Sequence, residues 1–244
     1  MTVVRGEYGV DGPGVVAAYG ATALAFFAAA ALLAAWGPAW LAAAALLLGL
    51  AWTLAAASFL WTTRRGKFVV WERLLDELRL AGDERLLDVG CGRGAVLVAA
   101  ARRLPRGQAV GIDIWSTRDQ SGNGEAAARR NVEIAGVADR VELRTGDMRA
   151  LPFADARFDV VVSSLAIHNL SQAEGRERAL AEILRVLKPG GTARIADVFY
   201  ARDFARWFAA QPGVEVGLRD LGWRLWFCGP FLATRLVTVV RAAP

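Results

Sequence analysis

Leu86-Leu87-Asp88-Val89-Gly90-Cys91-Gly92-Arg93-Gly94 is the stretch on which the fold turns. A short apolar run leads into three glycines at alternate positions, and a helix-like segment, residues 95–104, comes next. Glycines at a strand-to-helix turn let the backbone approach a ligand where a Cβ would clash. Asp113 stands nineteen residues beyond Gly94, at the end of a second apolar run, Ala109-Val110-Gly111-Ile112. A βαβ unit places a carboxylate there for ribose hydroxyls. The pattern predicts a nucleoside-containing cofactor.

Two cofactor types compete for such a turn. Gly90-x-Gly92-x-x-Ala95 passes as a dinucleotide fingerprint. Asp88, two residues before the first glycine, argues against a pyrophosphate, which its carboxylate would repel. A cation turns the same carboxylate into a partner, and S-adenosylmethionine (SAM) carries an ammonium and a sulfonium and no phosphate. The run Asp88-x-Gly90-x-Gly92-x-Gly94 resembles the first motif of the class I SAM-dependent methyltransferases. Gly146-Asp147-Met148, Leu151-Pro152-Phe153 and Phe158-Asp159-Val160-Val161 resemble that family's "GD…LPF…FDVV" segment. Arg185-Val186-Leu187-Lys188-Pro189-Gly190-Gly191 resembles its turn before the fifth strand. These blocks keep the family's order between about residues 68 and 200. The chain is most similar to the small-molecule (type 11) methyltransferases that include the ubiquinone and menaquinone C-methylases.

The resemblance implies roles. Asp88, with the backbone of Gly90 and Gly92, would hold the amino-acid end of SAM. Asp113 would bind the ribose hydroxyls and Asp147 the adenine, with Met148 packing nearby. Cys91, Gly94, Ile114 and Ser164 complete the implied cofactor-binding set. His168, the one histidine of the chain, falls where the family borders cofactor and acceptor. It is the candidate catalytic residue: a general base for a hydroxyl or thiol acceptor, or a gate and packing residue. Asp197, Tyr200 and Trp115 are further candidates for the acceptor pocket.

The rest of the chain carries a second message. No charged residue occurs between Asp11 and Arg64, a gap of 52 positions. Gly37-Pro38, a turn signal, divides it into residues 15–36 and 39–62, each long enough to cross about 30 Å of hydrocarbon. A cleaved signal peptide would have a basic start and a shorter apolar core, and a soluble hairpin would need polar faces. The expected organisation is therefore a leader and transmembrane helical hairpin over residues 1–66 and a methyltransferase domain over 67–244. Arg64, Arg65 and Lys67 come directly after the second span, and the Gly37-Pro38 turn has no charge, so the positive-inside rule puts the catalytic domain in the cytoplasm. Trp36 and Trp40 would mark the outer interface, Trp61 the inner one, and Trp52 helix packing.

The net charge is +5, and the first 63 residues contribute −1, which leaves the remainder basic and suited to an anionic leaflet. The arginines are dispersed with no aromatic-rich motif between them, so nucleic acid is not an expected partner. Two cysteines, Cys91 and Cys228, and one histidine leave no disulfide framework or His- or Cys-rich metal cluster, and no metal site is predicted. Oligomeric state is not legible.

Strands are expected at 85–89, ending at 113, at 141–145, 158–163 and 192–198, then two in the tail, 214–241. Helices are expected from Phe68, after the glycines to Pro105, at 125–135 with Asn123 as its cap, at 172–187 and at 202–210. Alternating strands and helices make an α/β Rossmann-like seven-stranded sheet, mostly parallel with an antiparallel edge hairpin. The polar loop 115–124 would be a lid or a surface insertion. Together these features predict a membrane-anchored enzyme methylating a lipophilic small molecule such as a quinone, isoprenoid, lipid, phenol or thiol. The alternatives are a protein methyltransferase acting on a membrane partner and a non-catalytic SAM-binding protein.

Overall fold

The computed structural model describes residues 6–229 and 231–243. Two long helices come first, α1 (Pro13–Trp36) and α2 (Ala39–Trp61), packed against each other as a hairpin. Both are long and apolar enough to cross a membrane. Most of their surface is not enclosed by protein: Leu24, Leu32, Leu47 and Leu54 are all exposed. Trp36 and Trp40 are exposed at the tip, and Trp52 packs edge-on to Tyr19 at 5.1 Å, as helix packing requires.

No linker separates the hairpin from the third helix. A single π-helical turn, Thr62–Gly66, joins α2 to α3 (Lys67–Asp76), and the helix runs on without a break. Val70, Trp71, Leu74 and Leu75 are buried along one stripe of α3, while Arg73, Asp76 and Glu77 face solvent.

The remaining elements are β1 (Arg85–Val89), α4 (Ala95–Ala101), β2 (Gln108–Asp113), α5 (Glu125–Ile134), β3 (Val141–Thr145), β4 (Phe158–Ser164), α6 (Ala173–Val186), β5 (Leu187–Asp197), α7 (Ala201–Ala209), β6 (Val214–Asp220) and β7 (Arg235–Arg241). They form one sheet of order β3-β2-β1-β4-β5-β7-β6, with β1 to β5 parallel and β7 antiparallel to both β5 and β6. The expected seven-stranded Rossmann-like architecture is therefore the observed one. β1 is buried on both faces, as a central parallel strand must be. Successive residues feed opposite cores. Leu86, Val160 and Val162 pack with α3 and α4, whereas Leu87, Val89 and Val161 pack with α6 and α7. The exposed edge strand β6 carries Glu215, Arg219 and Asp220, charges that discourage edge pairing.

Strand order reverses at β1, which has β2 on one side and β4 on the other. In an open α/β sheet, the crevice beyond the carboxyl ends of the strands at that switch point is where ligands bind.

Some local expectations need correction. β5 begins at Leu187 instead of Thr192, because Leu187 pairs with Phe158 and the Lys188–Gly191 turn is absorbed as an irregularity in the ladder. Asn123 does not cap α5. Its amide donates to Asp113 Oδ1 and to the Ser116 carbonyl, 3.3 Å each, and Gly124 occupies the cap position. Ahead of α1, residues 6–12 lie along loop 115–124 as a strap. Ser121 N donates to the Val10 carbonyl at 2.9 Å, Gly12 N to the Asp119 carbonyl at 2.9 Å and Val10 N to Ser121 Oγ at 2.8 Å. Asn131, buried in α5, clamps the strap by accepting from Glu7 N and donating to the Glu7 carbonyl, both at 2.9 Å.

Candidate active site

A cleft opens at the carboxyl ends of β1, β2 and β4. Its floor is the glycine turn after β1, where Gly90 and Gly92 both have φ in the left-handed region, +74° and +51°. A Cβ on Gly90 would lie 2.3 Å from the Ala166 Cβ, and one on Gly92 would lie 2.6 Å from Gln120 Oε1. Only glycine fits at 90, and at 92 the left-handed φ and the nearby Gln120 amide favour it. Gly94, at φ +81°, serves as the N-cap of α4 and does not line the cleft.

Asp88 sits at the end of β1 with 1% of its surface exposed, and neither carboxylate oxygen has a hydrogen-bond partner. Burial, reinforced by the negative charge of Asp113, pushes its pKa up to about 8. An unpaired buried carboxylate is costly unless a ligand supplies the missing charge. The cleft as a whole has the same bias. Asp11, Asp88, Asp113, Asp119 and Asp147 line it against two cations, Lys67 and Arg149. Such a cleft repels phosphates and attracts a cation, so the residues present fit SAM and not a dinucleotide.

The other expected residues converge on the same cleft. Asp113 ends β2; its Oδ2 accepts from Gly92 N at 2.8 Å and its Oδ1 from Trp115 N at 2.6 Å. Asp147 and Met148 come just after β3, and Asp147 is held by Arg149 at 2.5 Å, an ion pair that keeps its carboxyl below the usual range. Ile114 is exposed at the mouth, and Cys91 is buried beside Asp88 with its thiol pushed up by burial and by the neighbouring carboxylates. Ser164 lines the cleft while its Oγ accepts from Trp71 Nε1 at 2.8 Å, tying β4 to α3.

His168 lies just outside. Its neighbours Asn169 and Leu170 line the cleft, and its own ring turns toward the buried Asp197 at the end of β5, Nδ1 to Oδ1 at 2.6 Å. Asp197 also accepts from the backbone of His168 and Val198, so its carboxylate is fixed in place. Burial opposes charge on His168, but the hydrogen bond to Asp197 and that carboxylate's charge outweigh it, and the imidazole pKa is raised. The pairing commits Nδ1 and leaves Nε2 as the ring nitrogen available to a second partner. Phe199 packs edge-on against the imidazole at 5.7 Å. Trp115, by contrast, spends its indole N–H on Thr145 Oγ1.

Three functional candidates escaped the sequence reading. Lys67, read there as a topogenic charge, is only 4% exposed and points into the cleft, where its Nζ donates to both oxygens of Asp11 at 2.9 and 2.7 Å. Asp11 also accepts from Gln120 Nε2 at 2.9 Å, and Gln120 Oε1 accepts from Arg93 N at 2.9 Å. Strap, loop 115–124, glycine turn and hairpin base thus meet in one polar network over the cleft. Fifty-six residues separate Asp11 from Lys67, and no local pattern announces the pair. The one available signal was that Lys67 is one of two lysines in an arginine-rich chain.

Residues 87–195 match the family model described as a methyltransferase domain. Over that stretch the chain is similar to methyltransferase domains. The chain is 34% identical over 126 residues to the ubiquinone/menaquinone biosynthesis C-methyltransferase UbiE of Roseobacter denitrificans, a match covering 52% of this chain and 47% of that protein. It is 36% identical over 120 residues to the demethylmenaquinone methyltransferase of Lactiplantibacillus plantarum, covering 49% and 47%. The chain thus spans about half the length of the curated relatives it matches. Among solved structures, geranyl diphosphate methyltransferase in complex with SAM superimposes with a TM-score of 0.58 at 17% identity, over 76% of this chain and 88% of that one. At that identity the likeness establishes the fold.

Proposed function

We propose that this chain is a membrane-anchored methyltransferase that moves a methyl group from SAM to a lipophilic small molecule. The observation that carries the reading is where the cleft sits. Asp11 and Lys67, the residues that flank the two apolar helices, line it together with the orphaned carboxylate of Asp88. A substrate dissolved in the bilayer has the shortest path to such a cleft. The curated relatives are called quinone-pathway C-methyltransferases, which makes a prenylated ring one acceptor class to test first.

When bound, SAM supplies an electrophilic methyl group, so the protein's task is positioning and shielding. Asp88, in its ionised form, would hold the ammonium, and Lys67, which pairs with Asp11, would hold the carboxylate. Asp113, bonded to Gly92 N and Trp115 N, would meet the ribose hydroxyls, and Asp147, paired with Arg149, would meet the adenine amino group. Gly90, Cys91 and Gly92 form the floor, Gly94 sets the turn into α4, and Ile114, Met148 and Ser164 form walls. His168, held by Asp197, accepts a proton at Nε2 when the acceptor is a hydroxyl or thiol. Residues 1–66 act as the anchor and 67–244 as the catalytic unit, with two spans and the domain on the cytoplasmic face. Arg64 and Arg65, both exposed, are the charges that orient it, since Lys67 is consumed inside.

Supplying purified full-length protein with methyl-labelled SAM and membrane extract tests the reading. Label extracted into the organic phase supports it. Label on a polypeptide points to a protein methyltransferase. SAM binding without transfer points to a non-catalytic SAM-binding protein.

A further inference from the structure

The connection between β6 and β7 exposes two large aromatic side chains. Trp223 is 55% exposed and Phe231 is 94% exposed, although both are large and apolar. Isolated exposed apolar residues are ordinary, but these two sit on a loop bolted to the base of the hairpin. The Trp223 ring stacks on Trp61, the last residue of α2, at 5.0 Å. The Trp226 carbonyl accepts from Ser58 Oγ at 3.1 Å and Thr62 Oγ1 at 2.9 Å. Phe227 packs on Phe59 at 4.8 Å. A Cβ on Gly66 would lie 1.9 Å from the Arg224 carbonyl oxygen, so the π-turn and the loop touch backbone to backbone. The loop is therefore held at the level where α2 ends.

Its charge matches its position. The Arg224 guanidinium lies 4.5 Å from the centre of the Trp223 ring, and Arg64 and Arg65 are exposed on the adjoining turn. Among the described residues none of these three arginines has an ion-pair partner. Exposed tryptophan and phenylalanine beside unpaired arginines, level with the end of an apolar helix, is the composition of a membrane interface.

We propose that the described residues of the β6–β7 connection, 221–229 and 231–234, are a second membrane-contact element, which inserts Trp223 and Phe231 into the headgroup region of an anionic leaflet beside the hairpin. The inference rests on the hairpin spanning the bilayer. With three points of attachment, two helix ends and this loop, the domain is fixed in orientation and not merely tethered, so the cleft that Asp11 and Lys67 line keeps a constant distance from the lipid.

The test uses the full chain reconstituted in vesicles of phosphatidylcholine with or without phosphatidylglycerol. An environment-sensitive NBD label is placed on Phe231→Cys in a Cys228→Ser background, while the buried Cys91, its thiol pushed up, stays unlabelled. A second protein carries the label on Leu47→Cys, in the middle of α2. Both labels are expected to shift to the blue. The label at 231 should be quenched more by lipids with a shallow doxyl group than a deep one, and the label at 47 the reverse. Omitting phosphatidylglycerol, or introducing Arg224→Glu, should weaken the shift at 231 alone. Aqueous emission at 231 with lipid-quenched emission at 47 overturns the proposal and leaves the hairpin standing. Aqueous emission at both overturns the hairpin and the proposal with it.

Discussion

Asp88→Asn removes one negative charge and nearly nothing else, so it isolates what the unpaired carboxylate does. With the pKa pushed up to about 8, Asp88 is protonated in the folded protein at pH 7 and ionised in the unfolded chain. About three pH units separate the ordinary carboxyl value from pH 7, and at 1.36 kcal/mol per unit the proton uptake costs on the order of 4 kcal/mol of stability. The folded state binds the extra proton, so stability falls as pH rises between about 4 and 8. Asparagine abolishes that dependence, and the unpaired polar group it buries costs about as much as the protonated, equally unpaired Asp88 carboxyl. The net gain at pH 7 is therefore about 4 kcal/mol, or some 8–16 °C in Tm for a chain of this size, and it vanishes near pH 4. Ligand binding moves the other way. Losing one member of a buried charge pair costs about 3–5 kcal/mol, so SAM should bind at least ~100-fold more weakly. Calorimetry provides the sharper check. A group with a pKa near 8 is about nine-tenths protonated at pH 7, so wild-type binding should release about 0.9 proton and the Asn variant none. Wild-type binding at pH 7 without proton release, or an Asn variant that binds SAM as tightly as wild type, would refute the role given to Asp88.

Other outcomes are expected from the same geometry. Lys67→Met leaves Asp11 half-buried without its cation and should lower stability by roughly 3 kcal/mol and weaken SAM binding, whereas adding Asp11→Asn should restore most of the stability but not the affinity; denaturation and calorimetry on the two variants separate these effects. Gly90→Ala forces a Cβ into Ala166 at a left-handed φ and should abolish SAM binding even in an Ala166→Gly background, since the backbone strain remains. The raised pKa of His168 makes the His168–Asp197 pair stabilising below the ordinary imidazole value, with that contribution lost as pH rises through the folded value above it. His168→Gln should flatten the pH dependence of Tm in that window. If Nε2 is the base for a heteroatom acceptor, the variant should lower kcat more than KM.

Much of this protein is written locally. Leu86–Gly94 is read correctly because a central parallel strand and a ligand-approaching turn each demand residue types that stand side by side in the chain. The 52-residue uncharged span is equally plain, since a helix long enough to cross a bilayer needs only composition. Asp113 was legible because it ends a strand whose apolar run points to it, and Asp147 because it follows directly on a strand-like run in a Gly-Asp-Met segment. The features that could not be read required the chain to fold back. Asp197 orients His168 from a different strand, 29 residues on. Asn123 serves Asp113 and not its own helix, because tertiary hydrogen bonds outcompeted a cap. The strap, with Asp11 placed against Lys67 and Gln120, exists only because the start of the chain and the base of the hairpin meet over β1. Sequence alone determined the fold class, the cofactor chemistry and the two apolar spans, all properties of short continuous segments. Tertiary structure alone decided that Asp11 and Lys67, which flank those apolar helices, pair in the lining of the cleft, because charge pairing over long separations depends on position in space and leaves no periodic trace in the chain.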